Sequence, residues 1–200
     1  MLSESPEVQS WLSGTLKMSK SQEDEWGRKI VAPFRSNKEV KAWSGLLGET
    51  LIQEMFPGGW KPEKKKNLKP DWETINYIIE VKTQSWFTPG TAGEKILGVF
   101  IKYRNIPELY GKPLLVVCFG RAETIWFDEP RDERFNEILK ICKKFRIVYV
   151  RGSKLLLQSC VSLGFLSELT DVHPHPALQE TLTEQEALPS CSSPRDTEEP

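Results

Sequence analysis

Histidine is nearly missing from this chain of 200 residues: it has two, His173 and His175, each followed by a proline close to the C-terminal end. General acid–base chemistry built on imidazole, and histidine-rich metal sites, are thereby set aside for the body of the protein. Cysteine is scarce too. Cys118, Cys142, Cys160 and Cys191 lie far apart and form no Cys-x-x-Cys pair, so neither a zinc site nor a disulfide framework is expected. Cys118 and Cys142 fall in apolar patterns and belong in a core. No apolar run approaches the roughly 18 residues of a membrane span. The first residues, MLSESPEVQSWLSGTLKMSKSQEDEW, have neither the basic start nor the apolar middle of a signal peptide. The expectation is an intracellular protein, cytoplasmic or nuclear, that is not secreted and touches no membrane.

What is present suits one ordinary globular domain, because 38% hydrophobic and 28% charged residues allow a real core. The net charge is −1, but residues 166–200 hold eight acidic side chains against Arg195 alone. Residues 1–165 keep 26 basic and 20 acidic side chains, and a body that basic suits a polyanionic partner. The last thirty or so residues are rich in Pro, Ser, Thr and Glu and poor in apolar residues, which predicts disorder. The division expected is a polar N-terminal extension over 1–29, a folded domain over 30–165 and an acidic disordered tail over 166–200.

Between residues 30 and 155 helical and strand-like periods alternate. Ser36 and Glu39 have the spacing of a helix cap. Val40, Trp43, Leu47, Leu51 and Met55 then recur at helical spacing until Pro57-Gly58-Gly59, predicting a helix over 38–56. Residues 71–74 read as a short strand, Ile75-Asn76 as a turn and Tyr77–Thr83 as a central strand, together a hairpin. A helical stripe follows from Gly93 to Tyr103 and fades towards Leu109. Pro113–Gly120 is apolar throughout, as in a strand buried on both faces. A helix over 131–145, marked by Phe135, Ile138, Leu139 and Cys142, and a strand over 147–150 complete the order. This is an α/β layout: a mixed sheet flanked by helices.

Residues two apart on a strand share a face, so Glu80, Lys82 and Gln84 point one way while Ile79, Val81 and Thr83 point the other. Asp71, at the mouth of the hairpin, would meet Glu80 from the adjacent strand. Two carboxylates brought together repel and call for a divalent cation, and Mg2+ takes one or two carboxylates plus phosphate oxygens. Lys82 beside the ion could hold an attacking water or steady the charge that develops on phosphorus. The expected chemistry is phosphodiester hydrolysis dependent on Mg2+, with Mn2+ able to substitute. Lys61, Lys64, Lys65, Lys66 and Lys69 form a basic arm, KPEKKKNLK, directly before Asp71 and well placed for a phosphate backbone. Lys95, Lys102 and Arg104 are further basic candidates for backbone contact. Plainer readings stand beside these: a surface hairpin with a cross-strand ion pair, and a solvated basic loop.

Pro70-Asp71, eight residues, then Glu80-Val81-Lys82 resembles the PD-(D/E)xK signature of the restriction-endonuclease-like nuclease superfamily. The resemblance implies a core of α-β-β-β-α-β type over roughly residues 36–150, with Asp71 and Glu80 as metal ligands and Lys82 assisting the nucleophilic water. It also implies that Glu49, in Gly45-Leu46-Leu47-Gly48-Glu49-Thr50-Leu51, is a further metal ligand, and that Gln84 matches a glutamine some members keep after the lysine. Residues 88–98 and 110–117 are similar to type II restriction endonucleases and to related proteins of large DNA viruses and phages. By that resemblance the chain would be a sequence-specific endonuclease on double-stranded DNA leaving a 5′ phosphate. It would act as a homodimer, since one active site cuts one strand. A structure-specific repair or junction-resolving nuclease of the same fold, and a DNA-binding module without activity, are the alternatives.

Overall fold

The computed structural model describes residues 1–36, 42–87, 92–130 and 133–158. Eight α-helices and four strands occur among the described residues. They are α1 (Pro6–Leu12), α2 (Lys20–Val31), α3 (Trp43–Met55), β1 (Trp72–Glu73), β2 (Ile78–Gln84), α4 (Ala92–Tyr103) and α5 (Ile106–Tyr110). There follow β3 (Leu114–Gly120), α6 (Arg121–Phe127), α7 (Glu133–Lys144), β4 (Ile147–Arg151) and α8 (Gly152–Gln158). The strands form one sheet in the order β1-β2-β3-β4, with β1 antiparallel to β2 and the other three mutually parallel. The protein is therefore mixed α/β, a four-stranded mixed sheet flanked by helices.

Every residue of β3 is buried, as its unbroken apolar sequence requires of a strand covered on both faces. One face of the sheet, with Ile79, Val81, Leu115, Val117 and Phe119, packs on Leu47, Leu51 and Ile52 of α3. The other, with Ile78, Leu114, Val116 and Cys118, packs on Ile96, Val99 and Tyr103 of α4 and on Trp126 and Cys142. Cys118 and Cys142 are buried free thiols, as expected of core residues, and burial pushes both up, Cys142 to about 11. Among the described residues no helix is long and apolar enough to cross a membrane.

Residues 1–29 are no mere extension. Val8, Trp11 and Leu12 of α1 and Val31 of α2 are buried in the same core as α3, so the expected boundary at residue 30 falls inside a helix. The rings of Trp11, Trp26 and Trp43 lie 5.5 to 6.0 Å apart and join α1, α2 and α3. Each indole N–H donates to an acid of α1 or α2: Trp11 to Glu23 at 2.7 Å, Trp26 to Glu7 at 3.1 Å and Trp43 to Asp24 at 3.0 Å. The "polar" acids of this stretch are thus the acceptors its tryptophans need when buried.

Two further expectations change. Helix α3 begins at Trp43 after Ala42, without a side-chain cap, so Ser36 does not cap it; residues 37–41, with Glu39 and Val40, lie outside the described residues. A capping box does occur at the start of α2, between Ser19 and Gln22. Before α4 the described residues hold two strands rather than three, plus isolated antiparallel bridges between Trp60 and Glu73 and between Lys65 and Leu68. Pro62 has no N–H to donate and ends the first of these pairings after one residue. The acidic tail with His173 and His175 lies outside the described residues.

Candidate active site

The β1–β2 hairpin forms where it was predicted, closed by Thr74, whose N–H donates to Tyr77 O at 2.9 Å and whose hydroxyl accepts from Tyr77 N–H at 3.0 Å. Its register pairs Trp72 with Ile79 and Glu73 with Ile78. Continued by one residue, that register sets Asp71 across from Glu80. The Asp71 N–H donates to Ile79 O at 3.1 Å, and its carboxylate Oδ2 accepts from Val81 N–H at 2.8 Å. Asp71 is in this way fixed at both ends to the strand that carries Glu80 and Lys82.

Glu80 is 5% exposed, so this is no surface ion pair. Its Oε1 accepts from Lys82 Nζ, while its Oε2 is buried with no hydrogen-bond partner. Burial first, and then the Asp71 charge, push the Glu80 carboxyl up to about 7, against the pull of Lys82 and Lys102. Asp71 is raised as well, by burial and to a lesser degree by Glu49, although the Val81 N–H and two lysines oppose the shift. Lys82 also donates to Val81 O at 3.3 Å. Gln84 closes β2 and is half-buried.

Helix α3 brings Glu49 to this corner because Gly48 lets the helix lie directly on β2. A Cβ at Gly48 would stand 1.9 Å from Thr83 Oγ1 and 2.8 Å from Val81 Cγ1, so only glycine permits the approach. The Glu49 carboxylate accepts from Lys61 Nζ at 3.0 Å, and its charge reaches Asp71. Among the described residues no three His, Cys, Asp or Glu side chains gather closely enough to hold a metal ion. Asp71 and Glu80 are brought together; Glu49 is near Asp71 and turned onto Lys61.

Set against protein-family models, curated proteins and solved structures, the chain matches none.

The basic arm is a folded turn and not a loose strand of charge. Lys65 and Leu68 bond each other through both N–H groups, at 3.0 and 2.8 Å, around Lys66 and Asn67 with φ of 45° and 64°. Two successive positive φ values make this a tight type I′ turn. Lys65 Nζ donates to Leu109 O at 3.1 Å and lies over the Tyr110 ring, and Lys61 holds Glu49. Lys64, Lys66 and Lys69 are exposed. Lys95 falls in α4, but its side chain lies outside the described residues.

Sequence reasoning missed Tyr103. The last residue of α4, it is 4% exposed and its hydroxyl is raised by burial and by the charge of Glu80. A helical stripe marks such a residue as core and carries no sign that the strand it packs on bears a carboxylate. The only signal was its place at the polar end of that stripe, beside Lys102.

Proposed function

We propose that the chain is a magnesium-dependent endonuclease with a restriction-endonuclease-like core that hydrolyses phosphodiester bonds in double-stranded DNA. The observation that carries this reading is the Glu80 carboxylate: buried, opposed by Asp71, and with one oxygen that neither a lysine nor a backbone donor reaches. A fold leaves a carboxylate in that state only where something else completes it. Two converging carboxylates with a free oxygen suit a hard divalent cation, and the plain alternative of a solvated cross-strand pair does not suit a Glu80 this buried.

Asp71 and Glu80 would hold the ion, with Glu49 able to join if it leaves Lys61. A bound Mg2+ would supply charge neutralisation at the phosphate and a more acidic water. Lys82 then has two roles open to its own ammonium: keeping Glu80 ionised, and stabilising negative charge as it grows on the phosphate oxygens. Lys64, Lys66 and Lys69 supply exposed positive charge on the approach to Asp71.

The test is incubation of the full chain with supercoiled plasmid and with branched oligonucleotides, in Mg2+ or EDTA, beside Lys82→Ala. Discrete Mg2+-dependent fragments lost in the variant are expected. Linear product appearing more steeply with protein concentration than nicked circles would mark a homodimer. Cutting confined to branched DNA would move the assignment to junction resolution or repair. Absence of cleavage with any divalent ion, in a folded protein, removes the nuclease reading altogether.

A further inference from the structure

Helix α4 carries a glycine that packing does not explain. Gly98 lies inside α4, where glycine costs about 1 kcal/mol relative to alanine. Gly48 answers to Thr83 and Val81, but a Cβ at Gly98 would meet nothing within 4 Å. The space in front of it belongs to a groove of about 320 Å³ lined by Lys82 of β2 and by Gly98, Val99, Lys102 and Tyr103 of α4. That is the lower end of the range for small-ligand sites, about 300 to 1,000 Å³.

The lining has a definite chemical character. Among the described residues, Gly98, Val99 and Tyr103 give it an apolar wall, and Lys82 and Lys102 give it positive charge. The Lys102 ammonium stands 4.5 Å from the centroid of the Tyr103 ring, and that ring is held in the core. Lys102 is exposed, and a cation–π contact of this kind favours the rotamers that keep its head beside the groove. The groove also adjoins the two carboxylates, since Lys82 belongs to both and the charge of Lys102 is felt at Glu80.

We propose that this groove seats the sugar–phosphate backbone of one DNA strand next to the bond to be cut, with Lys102 as a phosphate contact and Gly98 as the position kept bare for the strand. A sugar has C–H faces for the apolar wall, its phosphate is the complement of the two lysines, and glycine is where a ligand comes closest to a helix. The proposal deepens the nuclease reading and rests on it for the reaction, though not for binding.

The test uses the full chain and a fluorescent short DNA duplex in EDTA, with anisotropy titrations from about 50 to 200 mM salt. Gly98→Leu puts a good helix former into open space, so it should melt at or above the wild-type temperature yet lose about tenfold or more in affinity. Gly98→Ala should fall between. Lys102→Ala should lower the salt slope by about 1, the loss of one phosphate contact, and Lys102→Arg should keep it. Wild-type affinity in a folded Gly98→Leu or Gly98→Ala protein, an unchanged slope in Lys102→Ala, or no duplex binding by the wild type would overturn the proposal. Cleavage in Mg2+ separates the two ideas. Binding lost in Gly98→Leu, with a wild type that never cuts, keeps the groove and removes the nuclease; wild-type cutting by Gly98→Leu does the reverse.

Discussion

A carboxylate buried against another carboxylate is held there in spite of the fold's own preference, and Glu80 lets that conflict be measured. Its carboxyl is raised to about 7, whereas the unfolded chain ionises near 4.5. Between those values the folded state keeps a proton that the unfolded state has lost. Stability of the metal-free protein therefore falls as pH rises from about 4.5 to about 7 and stays low above it, by a few kcal/mol at most. Thermal melts in EDTA should find Glu80→Gln more stable than wild type near pH 8, with the gap closing in acid. Added Mg2+ should raise the wild-type melting temperature and leave the variant's unchanged. A variant that melts lower than wild type near pH 8 would show that the burial is not a cost. If the proposed nuclease reading holds, Lys82→Ala should keep the fold but lose about 10² to 10⁴ in cleavage rate, read in single-turnover assays.

Elements hold the site through two contacts that differ in kind. At Gly48, α3 adds no side chain of its own and rests directly on the Thr83 and Val81 side chains of β2, so Gly48→Ala must move the helix or those side chains and should cost about 1 to 3 kcal/mol in urea unfolding. Thr83 Oγ1 is buried there with no partner, so adding Thr83→Ala should return part of the loss; a double-mutant cycle with no coupling would refute the contact. At Glu23, 1% exposed, the carboxylate accepts from Trp11 Nε1 and Trp86 N–H at 2.7 and 2.8 Å and from Phe87 N–H at 3.3 Å. Glu23→Ala strands all three donors, at about 1 to 3 kcal/mol for each one left buried, and Glu23→Gln, which keeps an acceptor oxygen, should be milder. These contacts also show why the sequence was legible only in part. The strands β2, β3 and β4 and the helices α4 and α7 were readable because each has one dominant period. The corner of Asp71 and Glu80 was readable because a hairpin register follows from its turn. The partners of Glu49 and Glu23 were not, because Lys61 and Trp86 reach them across 12 and 63 residues and no local pattern encodes such a pairing. The turn in the basic arm was not legible either: its residues are solvated charge, and only the asparagine of Lys66-Asn67, which tolerates positive φ, signals the tight turn.

At the scale of the whole molecule, the N-terminal helices belong to the same folded body as the sheet. Val8, Trp11 and Leu12 sit three and then one residue apart, a helical stripe that the surrounding serines and glutamates concealed. Removing residues 1–31 should therefore abolish the cooperative unfolding transition and the near-ultraviolet dichroism of the tryptophans. The position of Trp11 has a further consequence, for a chain that emerges from a ribosome one end first. Its ring lies against Gly120, at 2.7 Å from where a Cβ would stand, and its carbonyl accepts from Trp86 Nε1 at 2.7 Å. The seat for the first helix is thus made by residues synthesised long after it. At about 5 to 20 residues per second, the chain from Trp11 to Gly120 takes roughly 5 to 20 seconds to appear. For that interval the tryptophans of the first helices have no sheet to pack on, and their burial must wait for the strands to be made.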